Sequence, residues 1–280
     1  MEMTKIPNNA FVMIIGAMKC GTSSLYSFLI EHPSICPCIH KEPEFFSENQ
    51  GHGYNAGKYE DLWDFDIHSH SHALEASTGY TKYPSEARVP EKIYKYGIEP
   101  KFIYVVRHPF DRIVSHYNYM KNAPGFDRDI SIAADHFINI SSYFLQLEQY
   151  RKYFPKKNFL IVDFDELRNS PETTFIKIIE FLDISQNYSP ISFGVYNKTI
   201  SLSKAELFFR RNLNLNKITN LLPNQVKKTG KKIIKKISKP EEKRQFSDQE
   251  KGVVFNLLKN DMRRFHEEYG FDTQKWGFNI

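Results

Sequence analysis

The sequence predicts an α/β fold: a single three-layer domain with a central parallel sheet and a P-loop-like phosphate-binding loop. The first observation behind this prediction is that short apolar runs alternate with segments of helical periodicity along the 280 residues. The second is that the first apolar run leads into a glycine-bounded turn and then a helix, which is a common phosphate-binding arrangement. Because no internal repeat or clear linker interrupts the chain, residues 1–280 are treated as one domain.

The apolar runs and the periodic segments predict the order of the elements. Runs rich in Val, Ile and Phe predict buried parallel strands at 10–15, 73–77, 101–106 and 158–164. Helical periodicity predicts helices at 22–32, 84–97, 109–120, about 131–153 and 171–184. Thr22 or Ser23 is expected to cap the first helix, and Pro33 to stop it. Gly97 should end the second helix, and Pro109 suits the first turn of the third.

The composition excludes several classes of protein. A net charge of +5 suits an anionic ligand but is too small to predict nucleic-acid binding. The cysteines, Cys20, Cys36 and Cys38, are too few for a disulfide framework and lack partners at zinc-ligand spacing, so neither disulfides nor a metal is expected. The apolar run at 10–15 is too short for a signal peptide or a membrane span, and no other stretch approaches the length of one. The sequence therefore predicts a cytoplasmic protein without a transmembrane segment.

The turn at 16–21, GAMKCG, has the glycine spacing of a nucleotide-binding P-loop but not its lysine. In G-x-x-x-x-G-K-[ST] the lysine follows the second glycine. Here Thr22 follows Gly21, and Lys19 stands two residues before that glycine. The turn therefore predicts a phosphate cradle without the usual arrangement for β- and γ-phosphates and magnesium. A glycine turn with a purely structural role is the alternative.

The segment GAMKCGTSSLYSFLIEHPSI (16–35) resembles the K-x-G-T-[ST] loop of the sulfotransferases that use 3′-phosphoadenosine-5′-phosphosulfate (PAPS), in their glycan-modifying and bacterial branch. The resemblance implies an enzyme with PAPS as co-substrate, adenosine 3′,5′-bisphosphate as product and no metal. It implies that the 5′-phosphosulfate is surrounded by Lys19, Cys20, Gly21, Thr22, Ser23 and Ser24. Lys19 is also implied in catalysis, because its charge would stabilise the bridging oxygen as the sulfur–oxygen bond breaks.

A second motif follows the strand predicted at 101–106. Arg107 comes directly after that strand, so it belongs at the sheet edge where ligands of parallel α/β proteins bind. The segment RHPFDRIVS resembles the R-[DN]-P…R…S signature of the same family, with His108 as a departure from it. The resemblance implies that Arg107 and Ser115 hold the 3′-phosphate. Arg112 is expected to contribute structure or charge, and His116 to be packed or solvated rather than catalytic.

The segment HKEPEFFS (40–47) resembles the K-E-x-x-F-F segment of the same branch. Carried over by position, Glu42 is the general base that takes the proton from the acceptor. Glu44 and His40 are alternative bases. Lys41 could also reach the sulfuryl oxygens.

The acceptor is less well defined by the sequence than the donor. In EASTGY (75–80), Ala76 stands where the glycosaminoglycan-modifying relatives carry a lysine, which argues against a highly anionic acceptor. We therefore expect a small-molecule natural product as acceptor, with a sugar or lipid-linked glycan as the alternative. VYNKTIS (195–201) resembles the family's second nucleotide-closing loop and implies a phosphate contact from Lys198. FSDQEKGVVFNLLKNDMRRFHEEYGFDTQKW (246–276) resembles the family's terminal helix.

Two readings compete with a sulfotransferase, and one segment is left over. A P-loop-type nucleotide kinase shares the fold, but the displaced lysine argues against it. A non-catalytic module that binds PAPS or another polyanion is the second alternative. Between Lys227 and Lys239, lysines alternate with isoleucines in a basic amphipathic pattern. This pattern predicts a solvated helix face or, alternatively, weak docking of an acidic surface or a membrane surface.

Overall fold

The computed structural model describes residues 6–48, 57–123, 126, 130–185 and 243–279. Its strands all run parallel in one five-stranded sheet with the spatial order β2-β3-β1-β4-β5. The strand bounds are β1 Phe11–Gly16, β2 Ile35–Pro37, β3 His72–Ala76, β4 Lys101–Val106 and β5 Phe159–Asp163. The predicted α/β class with a central parallel sheet is confirmed.

The α-helices of the described residues lie between β1 and β2, between β3 and β4, between β4 and β5, and after β5. Their bounds are α1 Thr22–Leu29, α2 Val89–Tyr96, α3 Pro109–Met120, α4 Asp135–Ser141, α5 Tyr143–Arg151, α6 Phe164–Asn169, α7 Pro171–Leu182 and α8 Asp248–Tyr269. Strands β1 and β4 are buried almost throughout. This burial explains why their sequences are continuous apolar runs rather than alternating ones.

The carboxyl ends of the four longer strands lie at one edge of the sheet. Ile14 of β1 pairs with Ala76 of β3, and Val106 of β4 pairs with Asp163 of β5. Parallel α/β proteins bind ligands at this edge because loops from several strands meet there. The turn after β1, the turn after β3, Arg107 and α6 are therefore neighbours.

Several predicted helix boundaries are wrong. The N-cap position of helix α1 is Gly21, which has φ +84° and no side chain to cap the helix, so neither Thr22 nor Ser23 is the cap. The helix ends at Leu29, before it reaches Pro33. The second helix begins at Val89 rather than near residue 84, although Gly97 ends it as predicted, in a left-handed conformation.

The single helix predicted at about 131–153 is two helices. The helix is interrupted at Ser142, whose ψ of +83° is not helical. Asp261 of α8 caps the new start, since its carboxylate accepts hydrogen bonds from the N–H groups of Phe144 (3.0 Å) and Leu145 (2.8 Å). The break therefore depends on a residue more than one hundred positions away, which local periodicity could not indicate.

Strand β2 was not predicted. It has three residues and contains Pro37. A proline is tolerated there because β2 is an edge strand, with a partner on one side only. None of the helices in the described ranges has the length and apolar character that crossing a membrane requires.

Candidate functional site

The turn between β1 and α1 has a backbone conformation that requires glycine at positions 16 and 21. Gly16 has φ +145°, and a Cβ atom there would lie 2.1 Å from Oγ1 of Thr81. Gly21 has φ +84°, and its Cβ would lie 2.8 Å from the ring of Phe164. A side chain at either position would be strained and crowded, so the turn requires glycine at both.

The first turn of α1 offers a cradle for an anion. The first N–H groups of a helix have no intrahelical partners, and the helix dipole favours negative charge there. Thr22 is buried, while Ser23 and Ser24 are partly exposed. The Nζ of Lys41 donates to Oγ of Ser23 at 3.0 Å, which brings a second cation to this turn. The predicted serine and threonine donors therefore lie around the start of the helix.

Lys19 lies at the centre of the candidate site. Its φ is +74°, and its Nζ lies 4.5 Å from the ring centroid of Tyr119 on α3. Burial lowers the pKa of Lys19, and the positive charge of Arg107 lowers it further, whereas Cys20 and Glu42 oppose this shift. The predicted phosphate-binding, 3′-phosphate-binding and base residues thus interact electrostatically around one side chain.

Cys20 differs from the other predicted loop residues. Its side chain is fully buried, and its backbone N–H is bonded to the carbonyl of Ala17 at 3.1 Å. Burial raises the pKa of the thiol to about 12. Cys20 therefore packs beneath the loop, and the ligand contact that the sequence predicts for it stays a prediction.

Arg107 is oriented by contacts on several sides. Its backbone N–H donates to Oη of Tyr143 (3.3 Å), and that hydroxyl donates to the carbonyl of Arg107 (2.6 Å). Its guanidinium lies 4.9 Å from the ring centroid of Phe164 and 3.3 Å from a carboxylate oxygen of Asp111. An arginine held over an aromatic ring retains its charge and donors for a phosphate.

Helix α3 carries Ser115, Arg112 and His116. Ser115 is partly exposed, two turns after the strand end. Arg112 is fully buried and donates to Oγ of Ser141 (2.7 Å) and to the carbonyls of Phe137 (2.8 Å) and Met18 (3.5 Å). Through these bonds Arg112, on α3, links the loop at 16–21 to α4. Arg112 is thus structural.

His116 is buried against Arg112. Its Nδ1 lies 3.3 Å from Nη1 of Arg112, so Nδ1 is the acceptor. Burial lowers the pKa of His116, and the charge of Arg112 lowers it further. A neutral, enclosed imidazole fits the predicted packing role.

The segment that carries the base candidates has an unusual backbone. Glu42 has φ +52° and Glu44 has φ +48°, a conformation that non-glycine residues adopt rarely. The carboxylate of Glu44 is buried and accepts a hydrogen bond from the N–H of Gly79 at 3.0 Å. A Cβ atom on Gly79 would lie 2.5 Å from that carboxylate, so Glu44 fills a place that only glycine leaves open. Glu42 is partly exposed and His40 is exposed.

Two predicted features lie outside the described residues. They are Lys198, with its loop at 195–201, and the basic segment between Lys227 and Lys239. Among the residues that the structure does describe, no group of three or more His, Cys, Asp or Glu side chains is placed to hold a metal ion.

Phe164, Tyr143 and Glu75 were missed as parts of the site. Phe164 directly follows β5, so the rule that ligands bind beyond strand ends could have found it. Tyr143 had no such signal, because it reaches Arg107 from a helix start 36 positions away. The sequence places Glu75 in a strand and in the segment EASTGY but assigns it no role, although it is a fully buried carboxylate, and a buried carboxylate requires specific partners.

Taken together, a strand-end loop with a lysine, an arginine over an aromatic ring at the neighbouring strand and a carboxylate near them form a candidate site for a phosphorylated ligand. The family model described as "Sulfotransferase domain" matches residues 10–265. The chain belongs to the sulfotransferase family, as the sequence motifs predicted.

Two curated relatives are named as sulfotransferases of heparan sulfate. Human heparan sulfate glucosamine 3-O-sulfotransferase 5 is 27% identical over 221 residues, which are 73% of this chain and 61% of that enzyme. Mouse bifunctional heparan sulfate N-deacetylase/N-sulfotransferase 4 is 27% identical over 202 residues, which are 63% of this chain and 22% of that enzyme. The chain therefore spans about three fifths of the first relative and about a fifth of the second.

Solved structures share the fold. A sulfotransferase from Alicyclobacillus acidocaldarius has a TM-score of 0.65 and 19% identity, over 98% of this chain and 100% of that one. A mouse sulfotransferase complexed with PAP has a TM-score of 0.53 and 18% identity, over 95% of this chain and 90% of that one. At these identities the likeness concerns the fold.

Proposed function

We propose that the chain transfers the sulfuryl group of PAPS to a hydroxyl or amine of an acceptor, with Glu42 as general base. The observation that carries this proposal is that Lys19 and Arg107 follow the carboxyl ends of the paired strands β1 and β4, with Glu42 near enough to influence the pKa of Lys19. The acceptor oxygen or nitrogen attacks sulfur, the bond from sulfur to the 5′-phosphate oxygen breaks, and adenosine 3′,5′-bisphosphate leaves. Glu42 takes the acceptor proton, and Lys19 stabilises the charge that develops on the leaving oxygen.

The donor is held by the two loops that the sequence indicated. The start of α1, with Thr22, Ser23 and Ser24, faces the 5′-phosphosulfate, and Arg107 with Ser115 holds the 3′-phosphate. The mouse fold relative was crystallised with PAP, which supports a bisphosphate nucleotide as the ligand. Transfer of this kind uses lysine, arginine and helix N–H groups to stabilise charge.

For the acceptor we propose a glycan of low charge density. The names of the curated relatives favour a glycan, whereas the sequence favoured a small-molecule natural product. Ala76 is buried and uncharged, at the position where the sequence resemblance implies a lysine in glycosaminoglycan-modifying members of the family, which argues against a densely sulfated chain. A small natural product stays the second candidate, favoured by the same alanine.

Labelled PAPS tests both parts of the proposal. The purified chain is offered unsulfated, partly N-deacetylated heparosan oligosaccharides, heparin, and a panel of small phenols and amines. Label transfer to heparosan but not to heparin supports a weakly charged glycan, and transfer to the panel alone supports the small molecule. PAPS binding without transfer or hydrolysis would instead support a non-catalytic module.

The general base is tested by Glu42→Gln, which keeps the size of the side chain but removes its proton-accepting carboxylate. We expect turnover to fall by about 10²–10⁴-fold, the usual contribution of a general base, with bisphosphate affinity within a few-fold of normal. His40→Asn is the matched control because His40 is exposed and is an alternative base. Normal turnover in Glu42→Gln together with a loss in His40→Asn would move the role to His40.

A further inference from the structure

The segment at 40–47, here called the base loop, is held from one side by the turn that follows β3. The N–H of Glu44 donates to Oγ of Ser77 (3.1 Å), and the N–H of Phe46 donates to Oη of Tyr80 (3.3 Å). In the opposite direction, the N–H of Gly79 donates to the Glu44 carboxylate. Residues 77–80 thus contact the base loop through three separate hydrogen bonds.

Behind this turn lies Glu75, which has no exposed surface. Its Oε2 accepts hydrogen bonds from Ser77 (2.7 Å) and Tyr80 (3.4 Å), and its Oε1 accepts one from Tyr59 (2.5 Å). A hydroxyl has one proton and two lone pairs. Because Ser77 and Tyr80 accept N–H groups from the base loop, their protons point to Glu75.

We propose that Glu75 is a positioning residue for the catalytic base. Its Oε2 orients the hydroxyls of Ser77 and Tyr80 so that their lone pairs hold the base loop, and with it Glu42, at the sheet edge. This inference rests on the proposed role of Glu42 as general base.

The backbone of the base loop explains why such support is needed. Both Glu42 and Glu44 have left-handed φ values. Residues in this conformation persist where the surrounding structure fixes them. Without the hydroxyls of Ser77 and Tyr80, the N–H groups of Glu44 and Phe46 would be left unsatisfied, and the loop would relax away from this geometry.

The two carboxylate oxygens of Glu75 bond to different partners: Oε1 to Tyr59, and Oε2 to the turn after β3. Burial raises the pKa of Glu75 to about 7, while its hydroxyl partners lower it. Protonated on Oε1, Glu75 can donate to Tyr59 while Oε2 still accepts from Ser77 and Tyr80. A glutamine can reproduce this state, with its NH₂ toward Tyr59 and its carbonyl toward the turn.

The titratable groups that interact electrostatically with Glu75 are Tyr26, Cys38, Glu44, Tyr59, Tyr80 and Tyr150.

The test compares Glu75→Gln, Glu75→Leu and Ser77→Ala by the release of labelled sulfate from PAPS to water. This probe does not depend on the identity of the acceptor. We expect Glu75→Leu and Ser77→Ala to lower the rate by about ten- to a hundred-fold, the usual cost of a misplaced catalytic group. Glu75→Gln should keep the rate within about threefold, because it retains the acceptor that the hydroxyls need. Ser77→Ala keeps the test valid if Glu75→Leu does not fold.

Tyr59→Phe is the matched control. It also removes a hydroxyl from the Glu75 carboxylate, but from Oε1, whereas the two hydroxyls that hold the base loop donate to Oε2.

 We expect Tyr59→Phe to stay within about threefold of the normal rate, since Ser77 and Tyr80 keep their shared acceptor. Equal losses in Tyr59→Phe and Ser77→Ala would overturn the proposed link through Ser77.

A double-variant comparison separates positioning from general destabilisation. If Ser77 acts through Glu42, Ser77→Ala should cost much less in a Glu42→Gln background than in the normal enzyme. Equal fold losses in both backgrounds would overturn the inference, and so would an inactive Glu75→Gln, which would make Glu75 itself a proton carrier. Calorimetry with adenosine 3′,5′-bisphosphate should show normal affinity in each variant.

The same set distinguishes this inference from the proposed function. Normal rates in Glu75→Leu and Ser77→Ala beside an impaired Glu42→Gln would refute the positioning role alone. A normal rate in Glu42→Gln would refute the proposed base, and the positioning inference would fall with it.

Discussion

Replacing Arg107 by alanine should weaken adenosine 3′,5′-bisphosphate much more than adenosine 5′-phosphate. The second ligand lacks the 3′-phosphate that we assign to Arg107, so the pair of ligands isolates this one contact. The structure favours a large effect, because the Arg107 side chain is only 23% exposed and lies over the ring of Phe164. The guanidinium is therefore held in place before the ligand arrives.

The magnitude follows from the charges involved. A hydrogen bond to a charged group contributes about 1.5–3 kcal/mol, which corresponds to a loss of roughly 10- to 140-fold in affinity. One competing interaction reduces this value: Asp111 lies 3.3 Å from the guanidinium and has a largely exposed side chain. An exposed ion pair is worth only about 0.2–1 kcal/mol, so the phosphate contact should dominate.

Isothermal titration calorimetry with both nucleotides measures this difference directly. Arg168→Ala is the control, since Arg168 also lies near the ring of Phe164, at 5.7 Å, but pairs with Asp165 on the surface. We expect Arg168→Ala to leave both affinities nearly unchanged. If Arg107→Ala weakened the two nucleotides equally, the assignment of Arg107 to the 3′-phosphate would be wrong.

Three further predictions follow from the same edge of the sheet. Asp111→Asn should strengthen bisphosphate binding by up to about fivefold in calorimetry, because it frees Arg107 from a competing ion pair; weaker binding would contradict this. Gly21→Ala should lower the free energy of unfolding by about 1 kcal/mol or more in urea titrations and weaken the bisphosphate, since its Cβ meets Phe164 at 2.8 Å. The raised pKa of Glu75, about 7, means that the folded state binds its proton more tightly than the unfolded state. The stabilising contribution is therefore complete below the unfolded pKa and is lost as the pH rises through about 7. Glu75→Gln should remove this part of the pH dependence, and an unchanged slope of unfolding free energy between pH 5 and about 8 would contradict it.

The parts of the fold that could be predicted are those that depend on local patterns. Strand β4 and helix α3 have the predicted bounds, because a continuous apolar run and an N-terminal proline are complete local signals. The break at Ser142 depends on Asp261, and strand β2 depends on pairing with β3, so neither is visible in its own segment. Local patterns therefore identified the sheet and failed where a distant partner decides the conformation.

The same distinction applies to the candidate site. Lys19, Gly21 and Arg107 follow strand ends, and a strand end is predictable from hydropathy. The left-handed conformations of Glu42 and Glu44 are not predictable in this way, because non-glycine residues disfavour them by about 1–3 kcal/mol each. Such a conformation is stable only when other parts of the chain compensate for it, and those partners lie more than thirty positions away.

The turn after β3, which supplies these partners, also connects the base loop with the loop that follows β1. Oγ1 of Thr81 donates to the carbonyl of Ile15 at 2.7 Å, so the turn after β3 is fixed to the strand that leads into the phosphate loop. The same turn holds Glu44 through the N–H of Gly79. In-line transfer requires a fixed separation between the base and the group being transferred, and here both are attached to one rigid sheet edge through a single turn. A change in that turn should therefore alter the alignment of Glu42 with the donor before it alters the affinity for the donor, because the proposed phosphate contacts belong to the loop after β1, to α1 and to Arg107.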